Sequence, residues 1–249
     1  MPTVSGASTS KVARRLGASA RTFAGRATRE SSPDMRLFTL PGVFRPRPDS
    51  WMLARALRGE RLPRGARVLD VCTGSGVLAV TAALDGADAT AIDVSRSAVL
   101  CAALNARLNG VRVRALRGDL FAPVRDERFD AIVSNPPYLP GADDALPARG
   151  RARAWEGGRD GRALLDALCA QAPRHLAPGG VLLVIHSALS GTDRTLAALR
   201  ERGLHADVAM RHHGQLGPLL RARAPVLEAR GLLAPGQRDE EVVVVRASA

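Results

Sequence analysis

From residue 67 onward the sequence alternates short apolar runs with stretches of helical period, and this alternation restricts the fold more than any other feature. Short apolar runs between turn residues are typical of strands buried on both faces of a parallel sheet. We predict seven strands, at residues 67–71, 88–93, 111–116, 129–134, 181–186, 204–210 and 241–246. We predict five helices, at residues 51–57, 77–84, 96–108, 162–175 and 192–202. The pattern indicates an α/β fold with a mostly parallel seven-stranded sheet and helices on both faces.

The first 34 residues differ from the rest of the chain, because Ser, Thr, Ala, Gly and Arg dominate them and large apolar residues are few. Such a segment buries too little surface to order itself, so we interpret residues 1–34 as a disordered or spurious basic extension. A mitochondrial transit peptide, or a true start at Met35, would also account for this composition. Residues 35–249 are then expected to form one domain.

Bulk composition limits the classes of protein to which the chain can belong. The net charge of +12 is weak evidence for a nucleic-acid partner, because only Lys11 is lysine and arginine has GC-rich codons. No run of about eighteen apolar residues occurs, so no membrane-spanning helix is expected. Cys72, Cys101 and Cys169 lack paired spacing, which argues against a disulfide framework or a metal site and favours a reducing cytoplasm.

A glycine-rich turn follows the first predicted strand, in the sequence Asp70-Val71-Cys72-Thr73-Gly74-Ser75-Gly76. Glycines there allow close approach of a ligand, and Asp93 after the second strand can accept hydrogen bonds from both hydroxyls of a ribose. The segment also satisfies the dinucleotide pattern, so NAD is a competing ligand. Asp70 favours a cationic cofactor over a pyrophosphate, and Asp119 after the third strand can accept a hydrogen bond from an adenine amine.

The fourth predicted strand ends in Asn135-Pro136-Pro137-Tyr138. Two consecutive prolines stop the strand and restrict the backbone of the residue before each of them. The result is a stiff arm that carries one amide, one free carbonyl at Pro136 and the only tyrosine of the chain. Such an arm suits a planar nitrogen group, either a carboxamide or a nucleobase amine.

Together these residues resemble the HemK-type class I methyltransferases, which have a Rossmann-like fold. The motifs that carry the resemblance are Asp70 to Gly76, Asp93, Gly118-Asp119-Leu120-Phe121 and Asn135 to Tyr138. Two further stretches, Ala154 to Gly161 and Val43 to Ser50, are similar to segments of the short archaeal and eukaryotic members. Cys72 stands where the family usually has a glycine.

The resemblance implies a methyl transfer from S-adenosyl-L-methionine to the side-chain amide nitrogen of a glutamine in a protein, in particular a peptide chain release factor. It implies a set of cofactor-binding residues, namely Asp70, Thr73, Gly74, Gly76, Asp93, Asp119, Leu120 and Asn135. It implies Asn135, Pro136 and Tyr138 as the catalytic residues, with the Asn135 oxygen and the Pro136 carbonyl holding the amide. Short members work with a small activator subunit, and an adenine amine of RNA or DNA remains the alternative target.

An arginine-rich stretch follows the arm, with members at residues 149, 151, 153, 159 and 162. These side chains would either steer a phosphate-bearing substrate or form a solvated loop. His186, His212 and His213 lack partners at ligand spacing, so no metal site is expected.

Overall fold

The computed structural model describes residues 35–148 and 150–249, so the predicted basic extension at residues 1–34 lies outside the described residues. The strands are β1 (Arg67–Val71), β2 (Asp88–Asp93), β3 (Val113–Arg117), β4 (Phe129–Ser134), β5 (Leu176–Ser187), β6 (His205–Gln215) and β7 (Asp239–Ser248). The helices are α1 (Pro48–Gly59), α2 (Val77–Leu84), α3 (Arg96–Leu108), α4 (Ala163–His175), α5 (Thr192–Arg200) and α6 (Pro218–Ala229).

The strands form one seven-stranded sheet in the order β3-β2-β1-β4-β5-β7-β6. Strands β1 to β5 run parallel, and β7 lies antiparallel between β5 and β6. This architecture confirms the predicted fold class. The chain leaves β1 toward β2 and β3 and then returns to β4 on the other side of β1. Such a reversal of strand order opens a crevice at the carboxyl ends of β1 and β4, where ligands of open α/β sheets bind.

The core has two layers because the central strands bury side chains on both faces. Along β4, Ile132 packs on one face with α4 and α5, while Ala131 and Val133 pack on the other with α1 and α2. This two-sided burial explains why the strand sequences read as continuous apolar runs. A smaller cluster joins α6 to Leu139, just beyond the arm at the end of β4.

Several boundaries differ from the sequence-based expectation. Helix α1 begins at Pro48 rather than Trp51, because proline suits the first helical position, where the missing N–H costs nothing. Strand β5 begins at Leu176 instead of residue 181, and β6 extends to Gln215. Helix α6 was not predicted, because Pro225 and the arginines interrupt the helical pattern of its apolar residues Leu220, Ala224 and Leu227.

Within the described ranges, every helix is too short or too polar to cross a membrane. The same residues contain no cluster of His, Cys, Asp or Glu side chains arranged to hold a metal ion. The three cysteines are free thiols.

Candidate active site

A cavity of about 1850 Å³ lies along the carboxyl edge of the sheet. One part is lined by the turn after β1, the end of β2 and the turn after β3, which contribute Gly74, Asp93 and Asp119. The arm at residues 135–138 also lines the cavity, as do the lead segment at residues 42–47, β6 and the start of α6. The cavity wall includes most of the predicted site residues, namely Thr73, Gly74, Asp93, Asp119, Leu120, Asn135, Pro136 and Tyr138. Asp70 and Gly76 do not line it.

Residues of the turn after β1 that have a positive φ differ in their surroundings. Gly74, at φ +54°, has open space where a side chain would project, and it lines the cavity. Gly76, at φ +82°, lies against α3, and a Cβ there would come within 2.7 Å of Ala102 Cα. Cys72 also adopts a positive φ, of 61°, which explains why a glycine suits this position better. Gly76 thus makes a packing contact between α2 and α3 and does not line the cavity, and its predicted contact with the cofactor stays a prediction.

Asp70 lies beneath this turn and does not line the cavity. Its Oδ2 accepts hydrogen bonds from Thr73 Oγ1 at 2.6 Å and from the backbone N–H of Ala79 at 3.1 Å. Its Oδ1 is buried without a partner. Burial raises the pKa of this carboxyl to about 7, against the opposing effect of the Thr73 and Ala79 hydrogen bonds. Asp70 therefore holds the turn to the start of α2. The predicted contact with a cationic ligand would require that ligand to reach Oδ1.

Asp93 at the end of β2 and Asp119 after β3 both line the cavity. Asp93 accepts hydrogen bonds from the backbone N–H of Gly74 at 3.0 Å and of Ser95 at 2.9 Å. Burial raises the pKa of Asp93, although these backbone donors act in the opposite direction. Asp119 is exposed in the cavity, and no described residue donates a hydrogen bond to its side chain. Leu120 follows at φ +44° and closes the wall with a buried side chain.

The arm after β4 is held by helix α1. Asn135 Nδ2 donates hydrogen bonds to Asp49 Oδ2 and to Ser50 Oγ, each at 3.2 Å. Tyr138 Oη donates to the same Asp49 oxygen at 2.9 Å. Burial raises the pKa of Tyr138 well above its usual value, and the Asp49 carboxylate raises it further. Asp49 and Ser50 were not predicted as site residues, and the resemblance of Val43 to Ser50 to a family segment was the one signal of their role.

The segment around Trp155 braces the other side of the arm. Leu139 N–H donates to the Trp155 carbonyl at 2.8 Å, and Gly157 N–H donates to the Leu139 carbonyl at 2.9 Å. Ser190 Oγ donates to the Tyr138 carbonyl at 2.9 Å. Trp155 also lines the cavity. The segment is thus a backbone support for the arm as well as a part of the cavity wall.

The arginine-rich stretch after the arm is largely engaged in internal contacts. Arg162 is buried and donates to Asp166, Thr195 and the carbonyls of Ser190 and Gly191. Arg153 donates to two loop carbonyls, at residues 147 and 148. Position 149 and the side chain at position 151 lie outside the described part of the structure. Arg159 is exposed and lies 3.9 Å from Asp144 Oδ2. All three described members therefore contact other groups of the protein, which argues against a free phosphate-steering surface.

Comparison with known proteins agrees with this geometry. Residues 34–149 match the family described as "Methyltransferase small domain". A release factor glutamine methyltransferase of Gloeobacter violaceus is 39% identical over 179 residues, which cover 68% of this chain and 62% of that relative. A putative protein N5-glutamine methyltransferase of Methanocaldococcus jannaschii is 33% identical over 172 residues, which cover 69% of this chain and 85% of the relative.

Among solved structures, the E. cuniculi Mtq2–Trm112 complex, responsible for methylation of the translation termination factor eRF1, shares the fold. Its TM-score is 0.56 at 21% identity, over 83% of this chain and 98% of that chain. This chain spans less than two thirds of the length of the Gloeobacter relative but most of the Methanocaldococcus one. The fold, the turn after β1, the arm at residues 135–138 and these relatives together show that the chain belongs to the HemK-type family of class I methyltransferases.

Proposed function

We propose that this protein transfers a methyl group from S-adenosyl-L-methionine to the side-chain amide nitrogen of a glutamine in a protein, in particular a peptide chain release factor. Residues 35–249 act as one methyltransferase domain in this proposal. The observation that carries it is the orientation of Asn135, whose amide nitrogen is bound by Asp49 and Ser50 and whose oxygen remains as the acceptor. A site built in this way receives a planar group that donates N–H.

The residues present fit the cofactor. Gly74 leaves open space at the wall, and Asp93 beside it keeps lone pairs beyond its two backbone hydrogen bonds, as ribose hydroxyls require. No described residue donates to the carboxylate of Asp119, which lines the cavity and would accept a hydrogen bond from an adenine amine. Oδ1 of Asp70, to which no described residue donates a hydrogen bond, is a buried acceptor beneath the turn, and a ligand that carries an ammonium and a sulfonium would favour the ionised form of this carboxyl. Thr73 and Leu120 would complete the walls of this part of the cavity.

The arm at residues 135–138 provides the hydrogen-bond acceptors that would bind the substrate amide. Pro136 has no N–H, and among the described residues nothing donates to its carbonyl, so the Asn135 oxygen and the Pro136 carbonyl are two acceptors on one stiff segment. Two acceptors match the two N–H groups of a primary carboxamide. Tyr138 would pack its ring against the planar face of that amide. These contacts would hold the nitrogen in one orientation toward the cofactor half of the cavity.

The chemistry depends mainly on positioning. S-adenosyl-L-methionine, when bound, supplies an electrophilic methyl group on a sulfonium. An amide nitrogen is a weak nucleophile because its lone pair is delocalised into the carbonyl, and the two acceptors of the arm hold that nitrogen in the reactive direction. Positive charge passes to the nitrogen, which then releases one proton to solvent, so no strong base is required at the start. Orientation of this kind can supply about 7–11 kcal/mol.

Substrate and partners extend the same proposal. A release factor is proposed because the Gloeobacter relative is named for that substrate and shares 39% of aligned residues. A small activator subunit is proposed because the E. cuniculi structure is a complex with Trm112. We place the activity in the cytoplasm, since the free thiols of Cys72, Cys101 and Cys169 suit a reducing compartment.

The test is methyl transfer from labelled S-adenosyl-L-methionine to a purified release factor, with and without a candidate activator. Asn135→Ala should lower turnover by on the order of a hundredfold or more, while the cofactor dissociation constant changes little. Asn109→Ala is the matched control, because Asn109 and the Arg36 backbone to which it bonds both lie outside the cavity.

Cell extract labelled with the same cofactor is then digested with nuclease or with protease, which shows whether the methylated target is nucleic acid or protein. Label that survives nuclease but is lost to protease supports a protein glutamine. Label that is lost to nuclease instead supports the adenine alternative and overturns the proposed substrate. Full turnover in the Asn135→Ala variant would overturn the role of the arm.

A further inference from the structure

Helix α1 directs a single carboxylate into the arm. One oxygen of Asp49, Oδ2, accepts hydrogen bonds from both Asn135 Nδ2 and Tyr138 Oη. The other oxygen, Oδ1, accepts from the backbone N–H of Ser50 at 2.7 Å, within the first turn of α1. The carboxylate therefore divides its two oxygens between the helix and the arm. The oxygen that serves the arm has no function in helix capping.

The contact with Asp49 fixes the orientation of the Asn135 amide. A carboxamide nitrogen has two hydrogens, and its oxygen is an acceptor only. Asp49 Oδ2 and Ser50 Oγ take the two hydrogens. A carboxylate oxygen only accepts hydrogen bonds, so a rotated amide would place its own oxygen against Asp49 Oδ2 with no hydrogen between them. Only one of the two amide orientations is therefore stable, and that orientation directs the Asn135 oxygen away from α1.

The support behind Asp49 is rigid. Met52, Leu53, Ala54 and Leu57 of α1 are buried against the sheet, so the helix cannot shift without disrupting the core. Asp49 itself is half-buried and lines the cavity. A side chain that projects from such a helix holds its partners with little freedom, which is the arrangement that precise orientation requires.

We propose that Asp49 is a positioning residue, which sets the orientation of the Asn135 amide and the Tyr138 hydroxyl so that the site accepts only a group that donates N–H. This inference rests on the proposed methyl transfer to nitrogen and adds the residue that enforces it. Asp49 acts through Asn135 and Tyr138 and does not itself contact the substrate group that accepts the methyl. Loss of its carboxylate frees the amide to rotate and to present N–H to the substrate, which repels an N–H donor.

The first measurement does not depend on activity. Tyr138 is the sole tyrosine of the chain, so the near-ultraviolet absorbance of tyrosinate reports this one hydroxyl. The charged groups that act on it are Asp49 and Glu240, which raise its pKa, and Arg47, which lowers it. In Asp49→Asn the Tyr138 hydroxyl should ionise at lower pH than in the unsubstituted protein, while circular dichroism shows that the fold is intact. An unchanged titration would overturn the inference.

The second measurement exchanges Asp and Asn between positions 49 and 135 and determines the turnover of each variant. Asp49→Asn should lower kcat by on the order of a hundredfold and leave the cofactor dissociation constant within about twofold. Asn135→Asp places two carboxylates in contact and should be at least as severe. The double variant Asp49→Asn/Asn135→Asp restores one donor and one acceptor across the contact, and it should exceed Asn135→Asp at least about tenfold.

Asp193→Asn is the control, because Asp193 is an exposed acid in the first turn of α5, away from the cavity. It tests whether loss of any first-turn acid reduces activity, and it should retain full turnover. A double variant no better than Asn135→Asp would overturn the exchange and thus the inference. An unsubstituted protein with no transfer to any protein would refute the proposed function alone, since the tyrosine titration would still decide whether Asp49 controls the arm.

Discussion

Two glycines of the turn after β1 have different neighbours, and this difference gives a sharp prediction. In Gly76→Ala the new Cβ would lie 2.7 Å from both Cα and Cβ of Ala102, at a φ of +82°. The left-handed conformation costs about 1–2 kcal/mol for a residue with a Cβ. Overpacking against backbone that cannot move adds about 1–3 kcal/mol. We expect the free energy of unfolding to fall by about 2–5 kcal/mol, a large part of the total stability of a domain.

Gly74→Ala is the matched comparison, because Gly74 also has a positive φ, of +54°, but has nothing within 4 Å of its added Cβ. Only the conformational cost remains, so the free energy of unfolding should fall by about 1–2 kcal/mol. The methyl group would instead project at the wall of the cavity. We expect affinity for S-adenosyl-L-methionine to fall at least about tenfold in Gly74→Ala and to stay nearly unchanged in folded Gly76→Ala.

Urea unfolding measures the first quantity, and titration calorimetry at a temperature where both variants are folded measures the second. Equal losses of stability would refute the packing role of Gly76. Unchanged affinity in Gly74→Ala would show that Gly74 does not lie beneath the cofactor. A loss of affinity confined to Gly76→Ala would reverse the assignment of the two glycines.

Two further predictions concern buried charge. Arg162→Ala should lower the free energy of unfolding by about 3 kcal/mol or more, because the carbonyls of Ser190 and Gly191 lose their hydrogen-bond donor. The control is Arg58→Ala, which removes the exposed ion pair with Asp85 and should lower the free energy of unfolding by less than about 1 kcal/mol. Urea unfolding of both variants checks this, and equal costs would contradict it. The pKa of Asp70 rises on folding from 3.8 to about 7, so its contribution to stability is complete below about pH 4 and is lost as pH rises through 7. Asp70→Asn should therefore flatten the decline in stability between about pH 4 and about pH 7, and an unchanged slope would argue against this cause.

The strands were predictable because burial on both faces leaves a continuous apolar signal. Strand β4, at Phe129–Ser134, and the end of β1 at Val71 were predicted at the observed bounds for this reason. Helix α6 was not, since Pro225 in its interior reads as a helix breaker and its buried face of Leu220, Ala224 and Leu227 is short. Local pattern reports how a segment is buried, and it fails where a polar or proline-containing helix is stabilised by tertiary contacts.

The site was predictable to the level of motifs, but the partners of each motif were not. Asn135 and Asp49 are 86 positions apart, and Tyr138 and Asp49 are 89 apart, so no spacing rule connects them. Gly74 and Gly76 look alike in sequence, and only the position of α3 distinguishes them. Residue types indicated which chemistry was present, whereas the contacts that orient each side chain depend on how distant elements pack.

The arm at residues 135–138 is held from two independent directions, and this has a consequence for how the catalytic advantage arises. Asp49 restrains the side chains of Asn135 and Tyr138 from α1, while Ser190 and the segment at Trp155 restrain the backbone from the opposite side. The entropy of ordering the arm is therefore lost during folding and not during substrate binding. A weak amide nucleophile needs this advance ordering most, because little covalent assistance from the protein is available to it. Stability of the fold and rate of transfer are then linked through Asp49, whose Oδ1 serves the helix and whose Oδ2 serves the reaction.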